Sequence, residues 1–233
     1  MVISVIVNSK FIFVHLHKSA GTFFNSFIAK FFPDSTLVGY HFPKRMTPLA
    51  HQHLPVLGFV RNPWDFYVSW YSFQMQKQQS NPLFMVTSKD KTLGFSDTLE
   101  RLLALHEDQA LLNKVTALLP EQFTDAGLNI PASVFRAIHG TGLGFYGFLY
   151  DWMYEGTTSK PSVVKKEFML GGLESFFQKI NVSMTSEMRA HLSEQAHQNK
   201  SSHDHYKAYY DDRIAEMVVI ADSAIILKHG YSL

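Results

Sequence analysis

Phe11-Ile12-Phe13-Val14 runs directly into His15-Leu16-His17-Lys18-Ser19-Ala20-Gly21-Thr22, and beyond it Phe24, Phe27, Ile28 and Phe31 recur at helical spacing. Four consecutive apolar residues read as a buried strand, and the three-to-four spacing after Thr22 reads as an amphipathic helix. A short loop must join the two. Small residues in such a loop leave several backbone N–H groups aimed at one place, where the start of the helix favours negative charge. Lys18 adds a cation. Taken alone, the segment serves either a phosphate-like anion or an ordinary strand–turn–helix connection with a solvated lysine.

A second segment has the same grammar. Leu57-Gly58-Phe59-Val60 reads as a buried strand and is followed by Arg61-Asn62-Pro63-Trp64-Asp65. Asn62 suits an N-cap, Pro63 the first helical position and Asp65 the first turn, so a helix is expected through Phe66, Val68, Ser69, Trp70 and Tyr71. Arg61 would stand at the mouth of that helix, with Ser69 two turns further along. A guanidinium and a hydroxyl so presented can share a dianionic phosphate. The alternative is an arginine paired with Asp65 beside a packed helix.

Together the two segments resemble the cofactor motifs of the sulfotransferase superfamily, whose members use 3′-phosphoadenosine 5′-phosphosulfate (PAPS) and release PAP. Lys18-Ser19-Ala20-Gly21-Thr22 is similar to the family's 5′-phosphosulfate loop. Arg61-Asn62-Pro63 with Ser69, eight residues after the arginine, is similar to its 3′-phosphate motif. The likeness is closest to the carbohydrate-type and related bacterial branch. A softer echo covers Asn199-Lys200-Ser201, Tyr209-Tyr210-Asp211-Asp212 and a single C-terminal helix carrying Ile214, Met217, Val218, Ala221, Ala224 and Ile225 up to Gly230. The resemblance implies PAPS contacts from Lys18, Ser19, Ala20, Gly21, Thr22, Phe23, Arg61 and Ser69. It also implies a hydroxyl (less readily an amine) acceptor, with carbohydrates and other small molecules as candidate classes, and no metal.

Sulfuryl transfer, by analogy with phosphoryl transfer, passes through a loose in-line transition state with charge building on the leaving oxygen. Lys18 and the loop amides would stabilise that charge. The acceptor proton needs a base. His41, in the Gly39-Tyr40-His41-Phe42-Pro43 turn, is the first candidate, with an acid limb expected near the unperturbed histidine value of about 6.5, shifted by its surroundings. His17, where the family usually has proline, is the second. Another departure is Gly171-Gly172, where relatives often carry an acidic Glu-Asn-Leu type sequence.

Strand and helix signals alternate up to about residue 78, the pattern of an α/β chain. With the resemblance, this implies one domain over residues 1–233. Its fold would be three-layer and P-loop-like, with a mainly parallel central sheet flanked by helices. A helical insertion at about 80–160 would lie on the acceptor side. Residues 80–96 read as a polar surface loop, and Val163–Leu170 as a return to the sheet.

Lysine and arginine total 21 against 20 acids, a net charge of +1, which leaves no general nucleic-acid footprint. There are no cysteines, which excludes disulfides and thiolate metal sites and fits a reducing compartment. No apolar run reaches membrane-spanning length, and Met1–Val7 lacks a basic leader region, so a cytoplasmic location is expected.

Two further motifs are weighed down. Gly142-Leu143-Gly144-Phe145-Tyr146-Gly147 matches a dinucleotide fingerprint literally, but Pro131–His139 before it does not read as a strand. An aromatic loop near a substrate cleft is expected instead. The pairs His15/His17, His51/His53 and His203/His205 have no acidic cluster nearby to complete a metal set. Two rival functions remain: a P-loop kinase or other nucleotide-binding enzyme, and a non-catalytic PAPS or PAP binder. The first is disfavoured because Lys18 precedes Gly21, whereas a Walker A lysine follows its last glycine.

Overall fold

A computed structural model describes residues 5–124, 127–155, 160–198 and 204–233. Elements in chain order are β1 Val5–Val7, β2 Ile12–Val14, α1 Gly21–Phe31, β3 Thr36–Gly39, β4 Val56–Val60, α2 Pro63–Gln76, α3 Pro82–Thr87, α4 Phe95–Leu103, α5 Gln109–Thr116, α6 Ala132–Phe135, α7 Phe145–Tyr154, β5 Ser162–Lys165, α8 Met169–Lys179, α9 Ser186–Gln198, α10 Asp212–Ala221 and α11 Ser223–His229. They form two compact units. One comprises Met1–Arg61 with Tyr150–Ser201, the other Asn62–Leu149 with Ser202–Leu233.

The first unit is α/β, with five strands in the order β3-β1-β2-β4-β5. The expectation of a mainly parallel sheet is corrected here, because the sheet is mixed. β2–β4 and β4–β5 are parallel, whereas β1 is antiparallel to both β2 and β3. The cause is a hairpin at Asn8. Its side-chain oxygen accepts from the N–H groups of Lys10 and Phe11, at 2.8 and 2.9 Å, and turns the chain back on itself before β2. β1 therefore runs against the other four strands.

Phenylalanine fills this unit's core. Phe11, Phe13, Phe24, Phe27, Phe59, Phe176 and Phe177 are buried together with Leu57, Leu173, Met188 and Leu192. Phe13 meets Phe24 edge-on at 4.8 Å, and Phe11 meets Phe32 at 5.1 Å, geometries that aromatic quadrupoles favour. β5 ends at Lys165 and the chain enters α8 at Met169, so only the first part of the Val163–Leu170 expectation is strand. Gly172 has a packing reason: a Cβ there would stand 2.3 Å from Val164 Cγ1, so the glycine lets α8 lie close on β5.

The second unit is helical. The surface loop expected over 80–96 contains α3 instead. The Asn81 side chain accepts from Phe84 N–H at 2.8 Å, Pro82 opens the helix, and Leu83 and Phe84 are fully buried. Asn-Pro before apolar residues is the same helix-start signal that Asn62-Pro63 gives to α2. The expected aromatic loop at 142–147 is in fact the entry to α7, with Phe145 and Tyr146 fully buried and Tyr146 stacked on Phe66 at 3.8 Å. The single C-terminal helix is two, broken at Asp222 (φ −114°, ψ 23°). Asn199, Lys200, Ser201 and His203 lie outside the described residues.

Candidate functional site

In the first unit β2, β3, β4 and β5 all point the same way, so their C-terminal ends share one edge of the sheet. In open α/β sheets ligands bind beyond that edge. From β2 the chain enters the Lys18 loop, from β3 the His41 turn, from β4 Arg61 and from β5 Lys166. The structure thus brings His17, Lys18, Ser19, Ala20, Gly21, Thr22, Phe23, His41 and Arg61 to one end of one sheet. Ser69 is buried on α2, in the second unit.

The loop between β2 and α1 is held in an uncommon shape. Lys18 and Ala20 both adopt positive φ, 56° and 63°, a conformation that costs a non-glycine residue about 1–3 kcal/mol. Left-handed residues alternating with others turn successive amides towards a common point, the concavity that binds anions. Phe24 is the first to bond back into the helix, its N–H to Ala20 O at 3.1 Å. The amides of Gly21, Thr22 and Phe23 precede that ladder. No side chain caps this end and no acid lies in its first turn. Ser19 is buried, and its hydroxyl donates to His17 O at 3.3 Å.

Two contacts fix the loop. Arg61, 5% exposed, donates from Nη1 to Lys18 O at 3.2 Å. The two sequence motifs, 43 residues apart, are therefore joined by one hydrogen bond. Gly21 is demanded by close approach, because a Cβ there would stand 1.8 Å from the Cδ2 of His15.

His41 is buried, with φ 50°. Its Nδ1 lies 3.0 Å from His15 O. A carbonyl only accepts, so Nδ1 carries the proton and Nε2 is left as the acceptor of the neutral ring. His17 stacks on it with ring centroids 3.6 Å apart, and His15 meets it at 4.5 Å. Burial first, then the charges of His17 and His15, hold His41 well below the usual histidine value. Buried Lys44 follows the same turn, and desolvation lowers its ammonium from the ordinary lysine value.

Sequence reasoning missed His15 and Lys44 as parts of this edge. A signal for them existed in the charge pattern. Residues 1–64 contain a single acid, Asp34, against six lysines and arginines and five histidines. The near-neutral total concealed this segregation. Among the described residues no group of histidine and acidic side chains converges on a metal position. No protein-family model matches the chain, and no match to it was found among curated proteins.

The second unit has its own buried ionisable group. Asp222 is fully buried; its Oδ2 accepts from Tyr67 OH and its Oδ1 from Gly147 N–H, each at 2.7 Å. The Tyr67 hydroxyl oxygen accepts in turn from Tyr146 N–H at 3.1 Å. The amides of the glycine-rich segment thus go to protein acceptors: Gly147 N–H to the Asp222 carboxylate, Tyr146 N–H to the Tyr67 hydroxyl and Gly144 N–H to Ala221 O. Burial raises Asp222 to about 7, against the opposing pull of those hydrogen bonds, and pushes Tyr67 well above its ordinary value.

Proposed function

We propose that this protein is a PAPS-dependent sulfotransferase that moves the sulfuryl group to a hydroxyl acceptor, carbohydrates being one candidate class. The observation that carries this reading is the Arg61–Lys18 hydrogen bond, because it joins the two segments that resemble the family's phosphate motifs. The uncapped start of α1 and the left-handed residues beside it suit a phosphosulfate.

In this reading the Gly21–Phe23 amides and Lys18 hold the 5′-phosphosulfate, and Arg61 the 3′-phosphate. The acceptor oxygen attacks sulfur in line while the bond from sulfur to the PAP phosphate oxygen breaks. Lys18 stabilises the charge that grows on that leaving oxygen. The acceptor proton passes to a neutral imidazole; His41, through Nε2, is assigned this role and His17 is its alternate. The products are a sulfate ester and PAP.

Sulfur-labelled PAPS offered with sugars, phenols, amines and lipid alcohols tests the reading. Labelled ester should form at a rate that metal chelation leaves unchanged. Phosphoryl transfer from ATP with a strict magnesium requirement would replace it with the kinase reading.

A further inference from the structure

Arg45 is held in place from two sides, and neither hold involves an acid. It sits in the short helical turn Lys44–Met46 that follows the His41 turn, and its guanidinium carbon stands 3.6 Å from the centre of the Trp152 ring. Its Nη2 donates to Trp152 O at 3.4 Å. Trp152 lies in the last turn of α7, where carbonyls have no partner within the helix, so this bond serves the helix end. It uses one of the five guanidinium N–H groups. Both residues belong to the first unit.

Two buried donors in the same turn and its partner are unspent as well. Thr47, 3% exposed, donates its N–H to Lys44 O and accepts at its carbonyl from Gln52 Nε2, but its hydroxyl is buried with no partner among the described residues. Trp152 Nε1 is likewise buried without an acceptor. Buried donors are rarely left so, because water no longer serves them. Asp151 and Glu155 flank Trp152 in sequence, yet neither forms an ion pair with Arg45. Burial alone shifts the Arg45 guanidinium, and downwards from the ordinary arginine value, whereas a facing carboxylate would raise it.

We propose that Arg45, stacked on Trp152, is a subsite for an oxyanion: a carboxylate, sulfate or phosphate group carried by a small molecule. The indole holds the planar fork in one orientation, so little side-chain freedom remains to be lost when two N–H groups meet two oxygens. A charge-assisted, two-point contact of this kind is the strongest that an exposed arginine makes. The subsite stands apart from the sulfotransferase reading, which assigns both anionic ends of PAPS to the Lys18 loop and to Arg61.

NMR titration of the nitrogen-labelled full chain with inorganic sulfate, D-glucuronate and D-glucose, at ionic strength fixed with sodium chloride, tests this. Trp152 Nε1–H is the reporter, assigned by its loss in Trp152→Phe. The other two indoles lie in the second unit, Trp64 donating to Ala215 O and Trp70 buried. The Trp152 signal should move saturably with sulfate and with glucuronate, at a Kd of about 10 mM or tighter, and not with glucose. Whichever anion binds more tightly identifies the ligand as a carboxylate or as a sulfate or phosphate. Arg45→Ala should weaken binding at least about tenfold, and Arg45→Lys, which keeps the charge but loses the fork, by less. Arg61→Ala should leave it unchanged. Because Arg45→Ala also removes the bond to the helix end, the wild-type Arg45 Nε–H gives a second reading, and it should shift with the same Kd. No saturable shift, an equal shift with glucose, binding that survives Arg45→Ala or binding lost in Arg61→Ala would each leave the stack a structural clamp only and overturn the proposal. None of these outcomes decides whether PAP binds.

Discussion

Removing Arg61 should damage the free protein and the complex by separable amounts. Its guanidinium is almost fully buried and donates to the Lys18 carbonyl at 3.2 Å. A hydrogen bond from a charged donor contributes about 1.5–3 kcal/mol, so Arg61→Ala should lower unfolding stability by roughly that amount. The Lys18 loop should also lose its brace. Every ligand of the loop then binds more weakly, whether or not it carries a 3′-phosphate. PAP should lose a further ~1.5–3 kcal/mol, about tenfold to 150-fold in Kd, because its 3′-phosphate loses a charge-assisted partner. Calorimetry with PAP and with 5′-AMP separates the two effects, since AMP reports the brace alone. Equal losses for both ligands would remove Arg61 from the 3′-phosphate. An unchanged denaturation midpoint would show that the Lys18 bond contributes nothing to stability.

Lys18→Ala should lower kcat strongly and PAP affinity less, because its interaction grows with the charge of the transition state; equal losses in both would make Lys18 only an anchor. Gly21→Ala should displace His15 and reduce PAP binding by at least about tenfold, since the new methyl overlaps the ring; unchanged affinity would show that the loop tolerates the shift. Asp222 should set a pH slope on the stability of the second unit. Its carboxyl rises from 3.8 unfolded to about 7 folded, so the native state binds the extra proton. Its contribution is therefore fully present below about pH 4 and is lost as pH rises to about 7. The loss amounts to roughly 4 kcal/mol at 1.36 kcal/mol per unit. Buried His41 acts in the opposite sense below about 6.5, so the readout is the difference between wild type and Asp222→Asn in denaturant titrations from about pH 4 to pH 8. A flat difference would contradict the buried, ionising carboxyl.

Local signals located most of the elements around the site. The apolar run at Phe11–Val14, the phenylalanine spacing after Thr22 and the Asn62-Pro63 start each appear where their chemistry places them. What stayed hidden depended on partners distant in sequence or on signals passed over. The antiparallel β1 follows from the Asn8 turn, a three-residue feature with no apolar period of its own. α3 was obscured by polar flanks although Asn81-Pro82 marks its start. Nothing local announces that Asp222 breaks the last helix, because its partners Tyr67 and Gly147 lie 155 and 75 residues away. The histidine stack shows the same limit: His15 and His17 advertise themselves as a pair, but His41 joins them only through the sheet.

Ligand discrimination by the wild-type chain bears most directly on the central claim. In the presence of a chelator, PAP should bind more tightly than 5′-AMP, and the advantage should vanish in Arg61→Ala. ATP without magnesium should compete weakly. Absence of PAP binding, or tighter binding of magnesium–ATP than of PAP, would contradict the assignment of this sheet edge to PAPS.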